Sequence, residues 1–451
     1  MSVPFSALST GSDGMVVDLS GATPQQRTAQ LQQAMDACAA AGGGTVVVPP
    51  GRHEVGTIRL RSHVHLHLQA GATLLASDEP AIFPVLEMMT EGNGELTALV
   101  LADDVVNVTI TGPGAIAGRG VGAMSWHDAK KLPLRPTMML LRNCRDVHLA
   151  GFAIRDAMFW TLHLLRCKRV RISDVHIDNH WPNSDGIDPD GCEDVIITGC
   201  DITAGDDCIC LKSTRGDTCQ NILVSNCLLS TSCAALKLGT ESEGLIRQVC
   251  MSRCIVRRAA VAVAIYLKDR GSYEDVFIGD TMIASDGDFP IIVDVTPRDY
   301  TDPQVGSIRR ITLTNLHVVG SGRLHLEGLE DQPIEGLTLR NIDWHVTESR
   351  DFTSVTKPVG GARGRRDANR ASLANEPYHL IASCINNLRV ENLVIQRPTD
   401  SRVGRDRGLA RLHQTQCRFV NCQWHGTAAN SDALIRATQS SISGQNEIVC
   451  T

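Results

Sequence analysis

Asp185, Asp188, Asp190, Asp206 and Asp207 fall close together in the chain, and lysines follow at 212, 237 and 268. Carboxylates crowded together cannot all ionise freely. At least one pKa rises, while a neighbouring lysine favours the charged form of another. A split of that kind supplies one acid and one base, and such a pair is what hydrolysis of a glycosidic bond requires. Asp-Gly and Asp-Asp are also common turn residues. The chemical reading therefore depends on elements that stack these carboxylates on one face.

A repeated phrase supplies those elements. Two polar residues precede a Val, Ile or Leu, and apolar and polar residues alternate after it. The anchors are Val108, Val147, Val170, Val195, Ile222, Val249, Val276, Ile311, Leu337 and Leu388. The central ones recur about every 23 to 27 residues, within the range of solenoid repeats. Alternation is the period of a half-buried strand, and the gaps are too short for a crossover helix. The pattern predicts an all-β chain, a right-handed parallel β-helix whose turns lie ~4.8 Å apart.

Thr23 and Pro24 read as the N-cap and first position of a helix over Gln25 to Ala41, which Gly42-Gly43-Gly44 stops. With the strand that starts at Thr45, residues 20–45 would cap the open end of the coil. Residues 348–376 are polar and rich in Arg and Gly, and read as a long loop. The whole chain, 1–451, is expected to form one domain.

Aligning the copies by inward apolar residues puts Ile187, Ile209, Leu236 and Ile265 in one column. Three outward columns follow. The first holds Asp185, Asp207, Ala234 and Val263. The second holds Asp188, Cys210, Lys237 and Tyr266. The third holds Asp190, Lys212, Gly239 and Lys268. Strict alternation lets only one of Asp206 and Asp207 point outward, so a strand end or bulge is expected there.

Composition narrows the classes. The chain has 451 residues, 43% hydrophobic and only 4% aromatic, so its core must be filled by aliphatic residues and cysteine. A net charge of −7 without a basic block gives no nucleic-acid footprint. No apolar run reaches the ~18 residues of a membrane span. Met1 to Gly14 lacks a basic-then-apolar signal, so a cytoplasmic location is expected. The 16 cysteines sit within strand patterns and read as buried, reduced thiols. The aspartate spacing does not match a calcium loop, and no cysteine pair has zinc spacing, so neither metal nor cofactor is expected. The sequence leaves the oligomeric state open.

Asn183-Ser184-Asp185-Gly186-Ile187-Asp188 and Gly205-Asp206-Asp207 resemble the paired motifs of the polygalacturonase family of glycoside hydrolases, family 28. The resemblance extends to residues 41–51 and to Phe159-Trp160-Thr161-Leu162-His163, and covers roughly residues 20 to 320. It implies a right-handed parallel β-helix that hydrolyses α-linked uronate chains with inversion and without a metal, and an acidic oligo- or polysaccharide as partner. It also implies Asp206 as general acid, with Asp185 and Asp207 activating water. The family's Gly-His-Gly is replaced by Cys233-Ala234-Ala235, and its Arg-Ile-Lys by Tyr266-Leu267-Lys268. Gly239-Thr240-Glu241 is similar to a motif of exo-acting members. The substrate-side residues are read as His163, His180, Trp181, Lys212, Lys237, Glu241, Tyr266, Lys268 and Arg270. A polysaccharide lyase using Lys237 or Lys268 as base, and a non-catalytic carbohydrate-binding β-helix, are the alternatives.

Overall fold

The computed structural model describes residues 14–88, 95–120, 135–299, 304–347, 378–396, 408–424, 434–444 and 448–450, with isolated positions between 121 and 134. The segment 348–376, read above as a loop, lies outside the described residues.

The chain is a right-handed parallel β-helix, as the repeat predicted. Thirty-six strands form one continuous sheet, and its pairings are parallel throughout. The other pairing among the described residues is a short antiparallel one between Glu87–Met88 and Glu95–Leu96. A central turn of the coil contains three strands, such as Ile187–Asp190, Glu193–Thr198 and Asp201–Ala204. Each pairs with its counterpart one turn on, so the coil has three faces.

The ten repeat anchors form one column. Val108 pairs with Val147, and the file continues through Val170, Val195, Ile222, Val249, Val276, Ile311 and Leu337 to Leu388. The polar residue before each anchor explains the rest of the phrase. Asn107, Asp146, Arg169, Asp194, Asn221, Gln248, Asp275, Arg310, Gly336 and Asn387 all have positive φ, between 53° and 76°. A left-handed residue turns the chain from one face to the next, and Asn, Asp and Gly adopt it at least cost. Gln248, like Arg169 and Arg310, is a costlier choice in this column, because it lacks the short side chain with which Asn and Asp hydrogen-bond locally in this conformation. Gln248→Asn is expected to stabilise the fold by about 0.5 kcal/mol. Urea unfolding checks this, and a lowered midpoint would contradict the account.

The N-terminal helix runs Pro24–Ala40. Thr23 and Gln26 form a reciprocal capping box, and Leu31, Ala34, Met35 and Cys38 are its buried residues. It packs against the first strands and closes that end of the core. The core is aliphatic with interspersed cysteine, and the fifteen cysteines whose side chains are described are free thiols. Cys144, Cys167, Cys192 and Cys219 lie three residues before successive anchors and stack along the coil, with the Cys167 N–H donating to Cys192 Sγ at 3.3 Å.

One register differs from the sequence reading. Leu236 pairs with Val263, not Ile265, so Lys237 is followed by Ala264 and Tyr266 pairs with Asp294. The last members of the three columns are thus each displaced by two residues, and Val263, read as outward, faces the core beside Leu236. A two-residue slip keeps every side chain on its original face, so the alternating pattern is blind to it.

Candidate active site

The carboxylates gather on the outward side of the sheet that contains Leu162–Leu165, Ile187–Asp190, Ile209–Ser213, Ala234–Ser242 and Val261–Leu267. Asp185 precedes its strand. Asp206 and Asp207 precede the next one, which is the strand end that alternation required. Close backbone approach fixes the glycines of both motifs. A Cβ on Gly186 would lie 2.4 Å from the Cys208 carbonyl oxygen, and one on Gly205 would lie 2.1 Å from that of Trp181. The Ser184 hydroxyl donates to Trp181 O at 2.6 Å and accepts from Gly205 N–H at 3.1 Å, tying the two loops together.

Two buried lysines organise the charges. Lys237 Nζ lies 2.5 Å from Asp207 Oδ2, and Asp207 Oδ1 accepts from Ala234 N–H at 3.2 Å. Burial disfavours the Lys237 ammonium, but Asp207 and the other groups around it together hold the lysine well above its ordinary range. Lys212 Nζ sits among three carboxylates, at 3.3 Å from Asp185, 3.7 Å from Asp188 and 3.2 Å from Glu241. It also lies 4.5 Å from the centre of the Trp160 ring, a cation–π contact. Burial opposes its charge too, and Cys210 with the surrounding carboxylates again prevails.

The carboxyls then divide. Glu241 is lowered, because Lys212 and Lys237 overcome the cost of its burial. Asp185 is pushed well above the carboxylate range by burial and by Asp188. Asp188 rises to about 7, chiefly through burial, and neither of its oxygens has a hydrogen-bond partner. Asp206 is raised by burial and then by Asp207, with Lys237 opposing. It is the more accessible of the adjacent pair, whereas Asp207 is 1% exposed. The site thus combines two buried lysines paired to carboxylates with three carboxyls, Asp185, Asp188 and Asp206, whose pKa values are raised.

The other residues named from sequence fall at varied places. His163 is buried, with Nε2 3.0 Å from Asp190, and Asp190 also accepts from Thr214. Both have structural partners. His180 is exposed and pairs with Asp178 at 3.0 Å. Trp181 is 5% exposed and its indole N–H donates to Gly122 O at 3.1 Å, so its ring offers no open sugar platform. The Tyr266 ring is 6.0 Å from Lys237 Nζ. Lys268 is buried beside Ser242, to which its backbone N–H donates, and Arg270 is exposed at the following turn.

Sequence reasoning left three participants out. Asp188 was placed in a column but given no role. Trp160 was quoted in a motif, and only its position under Lys212 shows what it does. Arg135 stacks over Phe159 at 5.0 Å and donates to Pro182 O and Asn183 Oδ1, supporting the Asp185 loop from an irregular segment that carries no pattern.

Fold and site together define a parallel β-helix with a cluster of carboxyls and lysines on one sheet. The sequence pattern of glycosyl hydrolases family 28 matches residues 38–268. The chain belongs to that family. It is 31% identical over 183 residues to a probable polygalacturonase of Vitis vinifera, covering 38% of this chain and 37% of that protein. It thus spans well under half the length of this curated relative. Among solved structures it is similar to an exopolygalacturonase from Thermotoga maritima, with TM-score 0.60 and 23% identity over 71% of this chain and 84% of that one. A family 28 exopolygalacturonase from Yersinia enterocolitica gives TM-score 0.56 and 18% identity over 96% and 78%.

Proposed function

We propose that the chain is a glycosidase that hydrolyses α-linked, uronate-containing chains of the pectin type. The observation that carries the reading is the division of labour between the adjacent aspartates. Asp206, raised and accessible, keeps a proton to give to the leaving oxygen. Asp207, fixed by Lys237 and by Ala234 N–H, is the carboxylate that takes a proton from water. Asp185, one turn before and 3.3 Å from Lys212, is the second aspartate placed to hold and activate that water. The direct test is reducing-end release from homogalacturonan and other acidic oligosaccharides. Absence of hydrolysis across such a panel would exclude the reading. Polygalacturonase relatives support the substrate class.

An elimination route needs a deprotonated lysine base. Lys237 is held as an ammonium by its ion pair, so the geometry favours hydrolysis over the lyase alternative.

The expected stereochemistry is inversion. Oxygens of Asp206 and Asp207 approach within 4.8 Å, which by itself is the spacing of retention. Asp207 is too deeply buried to reach an anomeric carbon, however, and its oxygens are engaged by Lys237 and Ala234, so an intervening water is the nucleophile. Proton NMR of the first product should show the opposite anomer, and a retained configuration would transfer the nucleophile's role to a side chain.

A further inference from the structure

We propose that Cys233 positions the general acid: its thiol donates to the Asp206 carboxyl, orients it, and stabilises the carboxylate left when the proton departs. The inference rests on the hydrolytic reading above and adds a group which that reading does not use. Cys233 Sγ lies within 4.8 Å of a carboxyl oxygen of Asp206 and of one of Asp207. The residue opens the triplet Cys233-Ala234-Ala235, which stands in place of Gly-His-Gly. The two alanines carry no side-chain donor, whereas a thiol is a weak one.

Successive turns of the coil hold the pair together. Ala204, just before the Gly205-Asp206 loop, pairs with Thr231, two residues before Cys233. The Thr231 hydroxyl donates to the Asp206 carbonyl oxygen and accepts from Cys233 N–H, the latter at 2.9 Å. The Ser232 hydroxyl donates to Gly205 O at 3.2 Å. On the next turn, Val261 N–H donates to Cys233 O at 2.9 Å. The backbone of Cys233 is thus anchored both to the Asp206 loop and to the turn that follows. Asp206 also accepts from the Asn183 amide at 3.4 Å. The acid therefore sits between a donor from the turn before it and a thiol from the turn after it.

The thiol is in the form that can donate. Burial, then Asp207 and Asp206, push it well above the ordinary thiol range, so the S–H persists at neutral pH. Lys237 and Tyr266 are its other ionisable neighbours. Around the acid stand Asp185, Asp207, Lys212, Lys237 and Cys233. Burial and then Asp207 raise Asp206, while Lys237, Cys233 and Lys212 lower it. A donor to the charged form favours that form. Removal of the thiol therefore has a sign that a packing role does not.

The test is the pH profile of kcat/KM for Cys233→Ala and Cys233→Ser beside the wild-type chain. Without the donor, Asp206 keeps its proton to higher pH. In Cys233→Ala the alkaline limb is expected to move up by about half a unit and kcat to fall roughly threefold or more, the scale of one weak hydrogen bond. Cys233→Ser, whose hydroxyl also donates, should return the limb towards its wild-type position. A lowered rate with an unmoved limb, or identical profiles for the two variants, would overturn the proposal. A second measurement needs no turnover: iodoacetamide labelling of the full chain, read at each cysteine by peptide mass spectrometry. Cys233 is one of two partly exposed thiols among the fifteen described, the other being Cys250 on another face of the coil. Asp206→Asn removes the charge that holds the thiol up, so Cys233 should label at least ~3-fold faster at about pH 8, with Cys250 unchanged. Equal rates, or no labelling of Cys233 in either protein, would overturn the pairing. Faster labelling in a chain that hydrolyses none of the acidic oligosaccharides would support the thiol–carboxyl pair and reject only the hydrolytic reading.

Discussion

Asp206→Asn is expected to lower the hydrolytic rate by at least ~10²-fold, the lower end of what a general acid contributes. Asparagine keeps the shape of the side chain and the hydrogen-bonding capacity towards Asn183, which now donates to Asp206 at 3.4 Å. The coil should therefore remain folded, with an unchanged circular dichroism spectrum and little change in Tm. A substrate whose leaving group needs no proton, such as a nitrophenyl glycoside of the accepted sugar, should recover much of the lost rate. The wild-type protein should also lose activity at high pH as Asp206 gives up its proton. Because its pKa is raised, this alkaline limb lies above the ordinary carboxylate range. A near-native rate for the asparagine variant on natural oligosaccharides would remove Asp206 from the mechanism.

Lys237→Met is expected to be damaging in two separable ways. It leaves Asp207 in a buried position without its ion-pair partner. Breaking a buried pair from one side costs about 3–5 kcal/mol, and chemical unfolding should show a loss of that size. The rate should fall by roughly 10² or more, since the base loses the group that fixes it. Lys237→Arg should recover part of both losses. The pH profile supplies a sign that a merely structural role would not give. Lys237 lowers the pKa of Asp206, so its removal lets Asp206 keep its proton to higher pH, and the alkaline limb should move upward. A limb that stays in place, or moves down, would show that Lys237 does not act on the acid. The sequence reading placed Lys237 among the substrate-side residues, where it would pair with a uronate carboxylate. Under that role the loss would appear in KM for charged substrates and spare neutral ones, so the same variant distinguishes the two.

The sequence by itself determined the coil. Ten anchors with alternating neighbours could only be short strands, and the spacing left no room for helices between them. The Asn, Asp and Gly before the anchors are local conformational choices, legible because few residues accept a left-handed backbone. The aspartate motifs were legible for a related reason. Their glycines are forced because a Cβ on either would lie within 2.4 Å of a neighbouring carbonyl oxygen, and their carboxylates lie at a strand end that alternation itself demanded. The tertiary structure decided which charge meets which. Alternation fixes the face of a side chain but not its register, and a slip of two residues moved Tyr266 out of the Lys237 file without disturbing the pattern. A lysine side chain is long enough to serve any of several neighbours, so only the packed coil shows Lys237 on Asp207 and Lys212 shared by Asp185, Asp188 and Glu241. Burial is likewise a property of the whole assembly. Asp188 and Asp190 look alike in the chain, yet one is raised to about 7 with no hydrogen bond and the other is satisfied by His163 and Thr214, because the same two flanking turns offer them different side chains.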